Sequence, residues 1–542
     1  MAHRVNKVRV IGFGMILVGI GSIFNTLPHF LDGHYSVGEL QSDLCDPLRK
    51  ETCDLSQAVS QWAYPCLIFS QVLVGIGAAP IFTYGYSTLD EFDSAKRTAK
   101  NMALYMASAT LGPAIAFIGG GQMLNIWGDT FKTDYKDLGI TGPKDPRWYG
   151  AWWIGFDVVG ALCIIFAIPL TMFPRKLNDT DERKKNDEAQ THSALDVDFT
   201  GQKFAFLKTF WLFMCNPTCM ALIAMQTIES LIMNGYITFI PKLFENMFGF
   251  SSSMASTVTG AIVVPMGVVG SWLGGKLASK VENRVTSMLK VTIGLLFLTL
   301  IFSACMVLPC ERGKIAGINS MYTITDSEIT LTQQCNGQCN CDNVFNPVCS
   351  EDKKLSYLSP CHAGCSSSPD ESFKWNRCSC PMLRNISSSN VNKGWCPSDC
   401  KTTKYVFFIL FSLVCFFVFA TAPLIQSTSM KIVTFDHRDS YICFSWLWMR
   451  GLGSVPGAIA FGMVIDKTCI KWTRSCGSDA KCVLYDSDIL GIYIFIFTLV
   501  TKLLCIGALW VTIRSYIPMT STGTEENEKK DVPLRNFSES AI

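Results

Sequence analysis

Charge is scarce in this sequence. Asp, Glu, Lys and Arg make up 17% of the 542 residues, against about 25% in an ordinary soluble domain. They nearly cancel, to a net charge of +2, which leaves no electrostatic footprint for a nucleic-acid backbone. Histidine is scarcer still, at six. No GxxxxGK[ST] phosphate loop occurs, so nothing suggests ATP use; no cofactor and no enzymatic activity are expected. The opening MAHRVNKVR precedes an apolar run without a small-residue cleavage site, and is read as the approach to a first span rather than a leader.

What the chain has is apolar length. Hydrophobic residues form 49% of it and gather in ten blocks, at 10–30, 62–88, 101–124, 149–173, 211–240, 255–279, 291–309, 404–430, 442–466 and 487–513. About 20 apolar residues suffice to cross hydrocarbon as a helix. The expected fold class is therefore an all-α polytopic membrane protein.

Two rules give its sidedness independently. Cysteines crowd the loops after the first, seventh and ninth blocks, all on one face, where oxidation places disulfides outside. Basic clusters follow even-numbered blocks, as at Lys96, Arg97 and Lys100 and at Arg183, Lys184 and Lys185, and positive charge marks the cytoplasm. Both termini are then cytoplasmic, in a multi-pass protein of the plasma membrane.

The longest interior loop divides four blocks from six. Transporters of this kind are often built of two equivalent six-helix halves, so the expectation is that two N-terminal helices are absent and the chain opens in the loop before a third. The implied divisions are an incomplete N-terminal bundle (1–173), a cytoplasmic linker (174–210), the first part of a C-terminal bundle (211–309), an exterior cysteine loop (310–403), the rest of that bundle (404–513) and a cytoplasmic tail (514–542).

Of 24 cysteines, those within the apolar blocks are read as packing residues. The exterior ones are read as paired, with Cys335, Cys339, Cys341, Cys349, Cys361, Cys365, Cys378, Cys380, Cys396 and Cys400 the candidates in loop 310–403. Zinc is the competing reading, disfavoured by the exterior setting and by a single histidine, His362, in the loop. The spacing in NPVCSEDKKLSYLSPCHAGC resembles the Kazal module of serine-protease inhibitors, with one extra residue before Tyr357. A structural cap is preferred to an inhibitor, because nothing marks a reactive loop. Asn385, in NIS, is a glycosylation acceptor on the exterior face.

Residues 145–156 read DPRWYGAWWIGF. Indoles at the mouth of an apolar block suit an interfacial belt, ring in hydrocarbon and N–H in water. Arg147 either draws anions to the outer mouth or pairs with Asp145 or a lipid phosphate. Ionisable groups inside the blocks are costly and mark function. Arg450 stands well inside the ninth block, with two readings open: a counter-charge for a substrate anion, or an ion pair with Glu229 or Asp157.

The stretch at 145–156, beside a Kazal-like loop between two bundles, resembles the organic anion transporting polypeptide family of the major facilitator superfamily. Asp145, Arg147, Trp148, Gly150, Ala151, Trp152, Trp153, Gly155 and Phe156 match its signature, while Tyr149 and Asp157 depart from it. The likeness extends through LPHF (27–30) and IDKTCIKW (465–472). It implies the last ten of twelve helices in two bundles, and sodium-independent, alternating-access transport of large amphipathic organic anions such as steroid conjugates, bile salts or thyroid hormones. It also implies substrate roles for Arg450, for Lys242, whose alternative is snorkelling to the interface, and for His29. Val74 and Ala78 replace an arginine and a glutamate usual in relatives, which leaves Glu229, Arg450 and Lys242 as the retained charges. Two alternatives stand: a non-transporting, membrane-anchored module, and an inactive truncated form. Expected partners are the lipid bilayer and small organic anions, with a weak PDZ signal in the final Ser540-Ala541-Ile542.

Overall fold

Every apolar block forms a helix in the computed structural model, which describes residues 6–31, 43–47, 62–91, 95–140, 142, 148–174, 191–195, 197, 205–250, 252–281, 284–308, 313–322, 328–367, 370, 374–382, 389–397, 400–434, 437–475 and 478–518. Asp145, Arg147, Asn385 and the PDZ-like ending lie outside the described residues.

The first half comprises α1 (Lys7–Asn25), α2 (Leu27–Leu31), α3 (Ala63–Glu91), α4 (Ala95–Met123) and α5 (Trp152–Thr171). The second comprises α6 (Ala205–Cys215), α7 (Pro217–Phe248), α8 (Ser252–Lys280), α9 (Val285–Ser303), the short α10 (Ser379–Met382), α11 (Lys401–Lys431), α12 (Arg438–Trp448), a π-helical turn (Met449–Ser454), α13 (Val455–Asp466) and α14 (Ser487–Ser515). Eight described segments are long and apolar enough to cross a membrane, and the bent pair α6–α7 makes up to nine.

The two halves are bundles that meet along α4 and α8. Small residues set the approach distances. A Cβ on Gly14 of α1 would lie 2.5 Å from the Gly77 carbonyl of α3, so only a glycine pair permits this crossing. Helix α6 begins at Ala205, inside the stretch read as linker, and meets α7 at 83°. The break is local chemistry: Pro217 has no N–H to continue a helix, and Asn216 Oδ1 accepts from the N–H groups of Thr218 and Cys219 at 2.9 and 3.1 Å. The described part of the stretch read as linker docks on the second bundle. The His192 N–H donates to the Ile432 carbonyl at 3.0 Å, and Leu195 is buried with Phe213, Leu222 and Tyr441.

The cysteine loop folds as a small module around a five-stranded sheet in the order β1 (Lys314–Ile315), β3 (Leu355–Tyr357), β2 (Val348–Ser350), β5 (Val391–Lys393), β4 (Lys374–Trp375). Bonds Cys335–Cys380, Cys341–Cys361, Cys349–Cys396 and Cys365–Cys378 staple it, and Cys400 is also disulfide-bonded. So small a core, built on Tyr322, Val348, Leu355, Tyr357 and Trp375, needs such cross-links. The hairpin β6 (Cys469–Ser475) and β7 (Ser478–Tyr485), closed by Cys469–Cys482, carries Leu484 against Ile315 and Leu358 of the module. A further bond, Cys45–Cys339, joins the module to the segment between α2 and α3. There Asn346 Nδ2 donates to Asp43 Oδ2 at 2.8 Å, and the Cys45 N–H to the Cys365 carbonyl at 3.0 Å. The module, housed in the second half, is thus fastened to the first.

Candidate functional site

Between the bundles lies a cavity of about 490 Å³. The first bundle supplies Phe82 and Tyr86 from α3 and Met106 and Pro113 from α4; the second supplies Tyr236, Phe411, Val418 and Trp446. The walls are therefore mostly apolar and aromatic, as sites for amphipathic ligands are. At the end of the bundles away from the module the cavity is floored. Tyr86 and Met102 of the first bundle are buried with Met430 and Ile442 of the second, and Lys7 Nζ reaches Asp439 Oδ2 at 2.8 Å.

One polar zone interrupts the apolar wall and a second stands at its edge. One is an ion pair: Lys502 Nζ on α14 sits 2.5 and 2.7 Å from the two carboxylate oxygens of Glu229 on α7. The lysine is the deeper partner, its side chain 3% exposed against 14% for the glutamate. One turn earlier on α7, Gln226 Nε2 donates to Ser429 Oγ at 2.9 Å, while its buried Oε1 receives no donor among the described residues.

The other zone belongs to the π-helical turn. Pro456 cannot donate to the carbonyl four residues back, and the Val455 N–H instead bonds the Arg450 carbonyl, five back. Such widened turns recur at functional sites. Gly453 and Gly457 let this turn and α13 lie directly on α7: a Cβ would fall 2.7 Å from the Thr227 carbonyl at the first and 2.4 Å from the Leu231 carbonyl at the second. Ser454 and Ser230 hydroxyls meet at 2.9 Å across the contact. The turn presents Arg450, whose guanidinium lies 5.1 Å from the Trp446 ring and 5.7 Å from the Phe82 ring, both cavity-lining side chains. Among the described residues no carboxylate pairs with it. Glu229, one partner anticipated for it, is taken by Lys502, and the other, Asp157, accepts from the Thr26 hydroxyl at 2.8 Å. The Trp446 indole N–H is buried and lacks an acceptor among the described residues.

The other anticipated residues sit elsewhere. Lys242 pairs with Glu245 at 2.8 Å, one turn along its own helix and outside the cavity. His29 stacks on Trp153 with ring centroids 5.3 Å apart and faces Asp129 at 3.9 Å, near the module end of the first bundle. Lys502 went unnoticed in the sequence, although a lysine in the middle of the last apolar block is the signal that singles out buried charge.

The tryptophan-rich stretch proves to be a clamp on the loop between α4 and α5. Trp148 Nε1 donates to the Leu124 carbonyl at 3.0 Å and Trp153 Nε1 to the Gly128 carbonyl at 2.9 Å, so these N–H groups are not the watered ones an interfacial belt requires. Loop carbonyls freed at the end of α4 capture them. Gly150 forms a bridge with Trp127, and a Cβ there would fall 2.4 Å from Leu124 Cα. Ala151 is fully buried and its N–H bonds the Ile126 carbonyl at 3.0 Å. Gly155 sits beside Met123. Only Trp152, 37% exposed, keeps a belt-like position.

The sequence profile of the Organic Anion Transporter Polypeptide (OATP) family matches residues 1–490. Mouse solute carrier organic anion transporter family member 4C1 is 31% identical over 503 residues, covering 90% of this chain and 69% of its own. Mouse member 4A1 is 31% identical over 526 residues, 92% of this chain and 71% of its own. Among solved structures, the major facilitator superfamily transporter FucP in the outward conformation aligns over 94% of this chain and 83% of its own, at 11% identity and a TM-score of 0.46. The polytopic helical fold, the disulfide-stapled module and the sequence match together make this chain a member of the organic anion transporter polypeptide family.

Proposed function

We propose that the protein carries large amphipathic organic anions across the plasma membrane, without sodium, by rocking its two bundles around the central cavity. The observation that carries this reading is a bundle-to-bundle cavity, apolar on most sides, with a guanidinium unpaired among the described residues at its edge. Steroid conjugates and bile salts have the matching form, a broad apolar body with an anionic group, and thyroid hormones share the apolar body and the carboxylate. Arg450, held beside the cavity-lining rings of Trp446 and Phe82, offers donors to that group, and a planar guanidinium takes a carboxylate or sulfate in bidentate fashion. The closed floor and the cavity above it fit one half of an alternating-access cycle. In this reading both termini are cytoplasmic, the module is exterior, and His29 and Lys242 act near the outer mouth.

The test is uptake of a radiolabelled steroid sulfate by cells expressing the full chain. Arg450→Ala is expected to lower uptake at least about tenfold at equal surface abundance, the order of one lost charged hydrogen bond. Uptake unchanged by the substitution removes Arg450 from the mechanism, and no uptake above that of untransfected cells removes transport.

A further inference from the structure

A lysine stands without a counter-charge where the cavity-lining face of α11 runs out toward the module. Helix α11 gives Phe411, Val414, Cys415 and Val418 to the cavity. Lys404 precedes Phe411 by two helical turns, about 10 Å along the same face. Cys400, which is disulfide-bonded, caps the helix one turn before the lysine. The ammonium rests 3.9 Å from the centre of the Phe250 ring and 6.0 Å from that of Phe248, at the corner between α7 and α8. Phe250 stacks with Phe408 at 6.1 Å between centroids, Phe408 meets Phe407 at 5.5 Å, and Phe407 stacks with Phe411 at 5.9 Å. A continuous series of rings therefore joins the lysine to the cavity wall.

A lysine that merely snorkels sends its ammonium to water along an apolar stem. This one is folded onto a ring face, which engages the charge and leaves its N–H donors open. Among the described residues no carboxylate pairs with it and no side-chain oxygen accepts from it. Its place on the helix deepens the deficit. The first turn of α11 holds no acidic residue, and a cation there adds to the positive end of the helix dipole. An arriving anion relieves both. We propose that Lys404 captures the carboxylate or sulfate of an amphipathic anion while the anion's apolar body lies on Phe250 and Phe408, the half-buried rings at the module end of the series. Phe407 and Phe411 are buried behind them and hold the platform in place. This is a loading site apart from the cavity; it rests on the transport reading and adds a binding residue to it.

Uptake of a radiolabelled steroid sulfate over a range of concentrations, by cells expressing the full chain, tests the site. Lys404→Met keeps the length of the stem and removes the charge. It is expected to raise KM about fivefold, the upper range for a partly exposed charge pair, with the maximal rate per surface molecule unchanged. Lys404→Arg keeps the charge and is expected to keep KM. A second measurement needs no variant. In the unaltered protein, saturating steroid sulfate should shield Lys404 from acetylation by a membrane-impermeant N-hydroxysuccinimide ester, read by mass spectrometry against the exposed Lys353 of the module. An unchanged KM in Lys404→Met, or acetylation of Lys404 indifferent to the sulfate, overturns the loading site and leaves transport standing. No uptake by the unaltered chain overturns both.

Discussion

Single residues show how far isolated chemistry can be read. Glu229 and Arg450 stand out in sequence because charge in an apolar block is costly, but their partners do not. Lys502 lies 273 residues from Glu229, and nothing local ties the two together. Trp148 and Trp153 were legible as indoles near a helix start, whereas the carbonyls that take their N–H groups lie in a loop whose path depends on the whole bundle. His362 shows the same contrast. Its ring is buried in the module, where Ser359 Oγ lies 2.7 Å from Nδ1. Burial, aided by Lys471 and opposed by Asp342, lowers its pKa from 6.5 to about 4. The folded module therefore binds fewer protons than the unfolded chain across that interval, so stability is complete above about pH 6.5 and falls as pH drops toward 4, by roughly 3 kcal/mol in all. Calorimetric melting of the module transition in the purified protein should show this loss, and His362→Gln should flatten it. A transition equally stable at both pH values in the unaltered protein contradicts the assignment.

At the level of elements, the helices were legible because a run of about 20 apolar residues has few other fates. Their irregularities were less so. The block 442–466 reads as one span, yet its Gly451, Gly453 and Pro456 turn the middle into a π-helix and divide α12 from α13. Gly453 and Gly457 seat this segment on α7 through backbone contact. Gly457→Leu forces a side chain against the Leu231 backbone, and over-packing of this kind costs about 1–3 kcal/mol. The expected outcome is a lowered melting temperature together with reduced anion uptake per molecule at the surface. A variant with unaltered melting and uptake shows that the contact tolerates separation. Helix α6 teaches a related lesson. Its start at Ala205 was hidden by the polar sequence before it, while the Asn216–Pro217 break was written plainly in a cap followed by a proline.

For the whole molecule, the alternation of cysteine-bearing and basic loops implies a sidedness and puts the stapled module at one end of the bundles, but neither reveals that the module belongs to both halves. Sequence spacing holds no information on which sulfur meets which, and Cys45 lies 294 residues before Cys339. Trypsin admitted to the linker face should cut near Arg183, Lys184 and Lys185, in the charged stretch between the bundles. The product is expected to migrate as a single full-mass species without reductant and to fall into two pieces once thiol is added. Separation without thiol contradicts the Cys45–Cys339 bond. The consequence is topological. From Cys45 to Cys339 the polypeptide is a closed loop, passing back and forth through the bilayer and returning on itself through sulfur, so a lone break anywhere along that circuit opens the loop without dividing the protein.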